Sequence, residues 1–115
     1  MKQEEILQLI PKSEKYLEYM LEVLIKIPRT EKISIGTEYK KSMYTMLENI
    51  MYLNKFKKIE YLSKIDVELN IQRVCLRILK KNRWIDIKKF NIAMDKIMEI
   101  GRIVRRTNKI LWQKH

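Results

Sequence analysis

The chain has little of four residue types that most catalytic and multi-turn folds need. It holds one cysteine (Cys75), one histidine (His115), two glycines (Gly36 and Gly101) and two prolines (Pro11 and Pro28). A single cysteine excludes an internal disulfide and fits a reducing interior. One cysteine and one terminal histidine fall short of the roughly four ligands of a zinc site. No Glu-x-x-His pair suggests a di-iron bundle. With two isolated glycines there is no glycine-rich phosphate loop. No run of uncharged residues exceeds six, against about 20 for a membrane-spanning helix. No signal-peptide pattern opens the sequence, so a cytoplasmic protein is expected. Nothing points to an enzyme, and no cofactor or metal is expected.

What the chain does have is helix-forming residues and positive charge. Ile, Leu, Lys, Glu and Met dominate, which favours helix. At 115 residues one domain is expected, small enough that assembly would add useful burial. The net charge is +11. It is uneven, with four lysines against five glutamates in residues 1–27, and 21 basic against nine acidic groups in residues 28–115. Such a surplus suits a polyanion or an acidic protein face, or simply a soluble basic protein.

Apolar spacing predicts four helices. Residues 1–11 read as an amphipathic extension that Pro11 interrupts. Ser13 can cap a helix over about 12–27, carried by Tyr16, Leu17, Met20, Leu21, Val23, Leu24 and Ile27 and ended by Pro28. Ser34 is the expected cap of a second helix over about 34–55, with Ile35, Tyr39, Met43, Met46, Ile50 and Leu53 as its seam. Residues 54–58 are the expected turn. A third helix covers about 60–82 and is apolar on two opposed sides. Leu62, Ile65, Leu69, Leu76 and Leu79 face the core, and Val67, Ile71, Val74 and Ile78 are free for a neighbouring subunit. A fourth covers about 86–110, capped by Asp86, with Phe90, Met94, Ile97, Gly101, Val104, Asn108 and Leu111 as its seam. Gly101 inside that seam suggests close approach of another backbone. Long helices with short connections read as an all-α, antiparallel up-down four-helix bundle.

The basic residues are the informative chemistry. Arg73, Arg77 and Lys81 follow one strip of the third helix, and Arg102, Arg105, Arg106 and Lys109 crowd the end of the fourth. Rows of this kind track phosphates without reading sequence; they also serve as solvated faces, paired here with Asp66, Asp95 and Glu99. Tyr39, Tyr44, Tyr52, Trp84 and Trp112 are candidates for stacking on bases, although Tyr39 lies in a seam. Cys75 reads as a packed thiol.

Three stretches resemble a known family. Pro28-Arg29-x-x-Lys32-x-x-Ile35-Gly36 is similar to the joint between its first two helices. Leu62-x-x-x-Asp66-x-x-Leu69-x-x-x-Arg73-x-x-x-Arg77 is similar to its third helix, and Glu99-Ile100-Gly101-Arg102 to its fourth. The family comprises the Avd accessory proteins of diversity-generating retroelements and the four-helix proteins of 23S rRNA intervening sequences. The resemblance implies a homopentameric barrel without catalysis that binds a reverse transcriptase and template RNA. The alternative it leaves open is a structural or RNA-binding protein of the intervening-sequence type. It adds Arg29 and Lys32 to the candidate contacts. Where the family continues with two glycines and a tryptophan, this chain has Arg105, Arg106 and Thr107, so the last helix is expected to run on.

Overall fold

The computed structural model describes residues 2–113, with side chains for 6–110. Helix α1 spans Lys2–Ile25. Helix α2 covers 29–56 in three parts, the turn Arg29–Glu31, a wider π segment Lys32–Gly36 and the α-helix Thr37–Phe56. Helices α3 (Ile59–Lys81) and α4 (Ile87–Gln113) follow. Each helix packs on the next and α4 returns to α1, so the described residues form a four-helix bundle, 46 Å in its longest dimension. No strand occurs among them.

α1 departs from expectation by running straight through Pro11. The stretch read as a separate extension is the start of this helix. Proline inside a helix costs about 3 kcal/mol. Ile6 and Leu9, ahead of it, are fully buried, and burying two such side chains returns roughly 3–6 kcal/mol, so packing outweighs the break. Pro11 itself is exposed. Ser13 is not a cap. It lies inside α1, buried, and its Oγ has no hydrogen-bond partner. Pro11→Ala restores a backbone donor at an exposed site. It is expected to raise stability by about 1–3 kcal/mol, read as a higher urea midpoint at unchanged m-value.

The joint after α1 is also shorter than expected, Lys26 to Pro28 only. Pro28 is extended (φ −55°, ψ 143°), and its carbonyl accepts the N–H of Glu31 at 2.9 Å and of Lys32 at 3.0 Å. The backbone thus starts α2 five residues before Ser34. The Ser34 hydroxyl instead donates back to the carbonyls of Thr30 (3.4 Å) and Glu31 (3.5 Å). In the π segment the Thr37 hydroxyl donates to the Lys32 carbonyl at 3.0 Å. A Cβ on Gly36 would lie 3.3 Å from the Glu31 carbonyl oxygen and 3.5 Å from Ile27 Cδ1. Glycine therefore lets Ile27, 2% exposed, close the core beneath the joint.

The other connections need no glycine. Lys57 ends α2 in the left-handed region (φ 56°), its N–H on the Leu53 carbonyl at 2.8 Å, a helix stop that usually falls to glycine or asparagine. The α3–α4 turn bends at Arg83 (φ 60°). Asp86 caps α4 as expected, accepting the Lys89 N–H at 2.8 Å. This bond, with the Lys89 ammonium helping, holds the Asp86 carboxyl below the usual carboxylate range.

The buried seam of α3 is Leu62, Ile65, Leu69, Gln72, Leu76 and Leu79, with glutamine at its centre. Gln72 is fully buried and all its bonding is internal. Tyr39 and Tyr16 share a 2.5 Å hydrogen bond, and Tyr16 donates to Gln72 Oε1 at 2.7 Å. Since Tyr16 gives its proton to Gln72, Tyr39 must donate to Tyr16. Gln72 Nε2 donates to Ser42 Oγ at 3.1 Å, and Ser42 donates to Glu68 Oε1 at 2.8 Å. The chain crosses α1, α2 and α3 and ends on a carboxylate. Burial raises both tyrosine hydroxyls well above their ordinary pKa, so they stay protonated donors. Only two ion pairs occur among the described residues. Lys12–Glu99 at 2.8 Å joins α1 to α4, and Asp86–Lys89 at 3.4 Å lies inside the first turn of α4.

Candidate nucleic-acid interface

Nine cations were expected to contact partners. Seven of them, Arg29, Arg77, Lys81, Arg102, Arg105, Arg106 and Lys109, are exposed; Lys32 and Arg73 are half-buried. They do not all line one groove. Arg105 lines a groove between α3 and α4 with Leu62, Asp66, Arg73 and Asn108. Lys81 and the joint residues belong to the region where α3 ends. From Arg73 to Lys81 is eight residues of helix, about 12 Å, with exposed Arg77 between them, so the two groups lie toward opposite ends of one strip.

Arg73 is built into the structure. Its Nη1 donates to Asn70 Oδ1 at 2.6 Å. A Cβ on Gly101 would lie 3.1 Å from Arg73 Nη2 and 3.5 Å from Arg105 Nη1. The close approach that Gly101 permits is therefore that of two guanidinium groups, together with Leu69, and not of another backbone. The α4 core stripe is correspondingly Ala93, Ile97, Ile100, Ile103, Val104 and Thr107, with Phe90, Met94 and Asn108 at its half-buried edge. Because the neighbour is the tip of a flexible side chain, Gly101→Ala is expected to be tolerated. Stability should hold or rise by up to about 1 kcal/mol through helix propensity, with Arg73 displaced. A loss above about 2 kcal/mol on urea denaturation would restore the backbone-contact reading.

Sequence reasoning missed the larger convergence. Lys26 from the first joint and Lys80, Arg83, Trp84 and Lys89 from the α3–α4 turn line one concavity. Asp86 is the acidic residue lining it, and its carboxylate already caps α4 and pairs with Lys89. Lys80 Nζ stands 4.6 Å from the centre of the Phe90 ring. Arg29 follows Lys26 by three residues. The available signal was the run Lys80-Lys81-Asn82-Arg83-Trp84 with Lys88-Lys89 close behind.

Of the carboxylates expected to pair with the fourth helix, Glu99 turns to Lys12. That hydrogen bond, first among several nearby cations, lowers its pKa. No ion pair engages Arg102, Arg105, Arg106 or Lys109 among the described residues. Of the stacking candidates, Tyr39 is fully buried, Tyr44 and Tyr52 are exposed and Trp84 is half-buried. Trp112 and His115 lie outside the residues whose side chains are described. Cys75 is packed, and burial raises its thiol pKa, which suits packing over nucleophilic chemistry. The described residues contain no group of three side chains arranged to hold a metal. No helix among them is long and apolar enough to cross a membrane.

Val67, Ile71, Val74 and Ile78 are 40–54% exposed in a single row on α3, the side opposite its buried seam. The described residues thus make a small, strongly basic four-helix bundle with an exposed apolar row on α3. The chain belongs to the bAvd-like family, whose sequence profile matches residues 6–111; Avd-type proteins are bacterial accessory proteins. That span contains the joint motif, the α3 motif and Glu99-Ile100-Gly101-Arg102. A comparison with curated proteins found no match.

Proposed function

We propose that this protein is a non-catalytic accessory subunit of a diversity-generating retroelement. It binds the reverse transcriptase and the template RNA and supports mutagenic cDNA synthesis, whose chemistry belongs to the polymerase. The family match over residues 6–111 carries the reading. The cationic shell supports it, because surface lysines and arginines give affinity for phosphates that is largely independent of sequence. Arg29, Lys32, Lys81 and the Lys26–Arg83 concavity form one contact region, and Arg73, Arg105 and their neighbours on α4 form the other.

The subunits are antiparallel bundles that assemble, as pentamers, in the cytoplasm. Antiparallel order is supported by pairs such as Ser42 with Glu68 and Tyr52 with Tyr61, whose partners run in opposite sense along α2 and α3. The Val67–Ile78 row supports assembly, since a row of four aliphatic side chains gains by being covered. Val74→Glu is expected to shift the native mass to that of the monomer while the helical circular dichroism holds. A mutant that keeps the native mass of the unaltered protein removes that row from the interface.

Filter binding to structured RNA tests the central claim. Affinity at moderate salt that weakens steeply as salt rises is expected. No affinity, or affinity indifferent to salt, defeats it. A reverse-transcriptase gene beside this one is the expected neighbourhood, whereas a position inside a 23S rRNA gene would favour the intervening-sequence alternative.

A further inference from the structure

Residues 51–64 interleave aromatic and basic side chains, with Tyr52, Phe56 and Tyr61 among Lys55, Lys57, Lys58 and Lys64 and a single acidic residue, Glu60. The α2–α3 turn folds these rings into one array. Tyr52 and Tyr61 have centroids 5.5 Å apart with planes at 30°. Phe56 lies 6.2 Å from each, at 23° and 25°. Two of the three rings are 43% and 47% exposed. Lys55 and Lys64 hold their ammonium groups 5.6 Å from the Phe56 and Tyr61 centroids. No ion pair among the described residues engages these lysines.

Two rings left half in water against a third, Tyr61, that packs on the core, with Lys55 and Lys64 beside them, need an explanation that the bundle core supplies only for Tyr61. A second copy of the same patch is a poor occupant, because it would bring lysines against lysines. An apolar helix would cover the rings and leave the ammonium groups unmatched. Unpaired bases match both features, since every base has a face to stack and a phosphate beside it. The surroundings extend the path. Ser63 lines the groove that holds Tyr52 and Tyr61, and also the α3–α4 groove that holds Arg73 and Arg105. Rings and arginines are thus neighbours across one residue.

We propose that Tyr52, Phe56 and Tyr61 form a stacking platform for unpaired bases of an RNA strand whose phosphates run past Ser63 to Arg105. This rests on the RNA-binding reading above and specifies the form of RNA, an unpaired strand, at that end of the molecule.

The test uses the whole protein and a fluorescent oligoadenylate of roughly twelve nucleotides, beside a duplex of similar length. Tyr52→Leu with Phe56→Leu keeps apolar bulk at exposed helical positions and removes the rings. Binding of the single strand is expected to fall about ten-fold or more, the scale of losing one or two stacked bases, with duplex binding unchanged. Single-strand binding equal to that of the unaltered protein overturns the platform and leaves RNA binding to the cations. If the unaltered protein binds neither probe, the RNA-binding reading fails and the platform with it. Photocrosslinking of an iodouridine-bearing strand to the unaltered protein gives an independent readout should the variant fold poorly. Crosslinks at Tyr52, Phe56 or Tyr61 are expected, and crosslinks only at the Lys26–Arg83 end overturn the proposal.

Discussion

Gln72→Leu is expected to destabilise the fold by about 2 kcal/mol, although it puts a better core residue at a core position. Leucine matches the size and the seam. What it removes is the acceptor that lets both tyrosine hydroxyls of the Tyr16–Tyr39 pair spend their protons, and the donor to Ser42. A buried polar group that loses its partner costs roughly 1–3 kcal/mol, and here one tyrosine hydroxyl proton is left without an acceptor in the core, while Ser42 keeps its bond to Glu68. For a domain of this size that corresponds to a fall in Tm of about 10 °C. The same logic predicts recovery. Adding Tyr16→Phe, Tyr39→Phe and Ser42→Ala to Gln72→Leu removes the whole chain of donors, and most of the loss should return, because an apolar replacement of a complete network is often near neutral. Urea denaturation of the single and the quadruple variants decides it. A single variant as stable as the unaltered protein would mean that the chain of hydrogen bonds contributes nothing.

Neutralising the Lys26–Arg83 concavity should have the largest effect on binding. With Lys26, Lys80, Arg83 and Lys89 all changed to glutamine, RNA affinity at moderate salt is expected to fall about a hundred-fold. More telling is the salt dependence. Each phosphate neutralised on a single strand contributes about 0.7 to the slope of log affinity against log salt. Loss of four contacts should flatten that slope by about 3, equally for RNAs of unrelated sequence, since phosphate contacts carry none. The matching set on α4, Arg102, Arg105, Arg106 and Lys109, measures the other region separately. A slope unchanged by the first set would assign those four cations to solvent and leave RNA to the second.

Helices were legible wherever the apolar spacing was regular. The seam Tyr39, Met43, Met46, Ile50 and Leu53 is buried as its period predicts. Errors fell where a local signal competed with packing. Pro11 reads as a break, but burial of Ile6 and Leu9 outweighs it. Ser34 reads as a cap, but the Pro28 carbonyl starts the helix first. Gln72 was overlooked because it interrupts a leucine seam, and that interruption was the clue, since a lone polar residue in such a seam usually has a specific partner. The Lys26–Arg83 concavity was legible only in part, as the basic run from Lys80 to Lys89. Lys26 and Arg83 are far apart in sequence, and only the return of the chain to the same end of the bundle makes them neighbours. Individual cations could be named from the sequence; their division into two regions needed the fold.

The scarcity of ion pairs has a consequence for how the molecule responds to its medium. A net charge of +11 with two ion pairs among the described residues leaves the subunit repelling itself. Added salt relieves that repulsion, so the free protein should become harder to unfold as ionic strength rises. Its grip on a polyanion weakens over the same range. The two trends oppose each other, and a bound nucleic acid acts on the subunit as a concentrated, local counterion. Heated alone in dilute buffer, the protein is at its least resistant; heated with RNA under the same conditions, it gains both the screening and the free energy of binding.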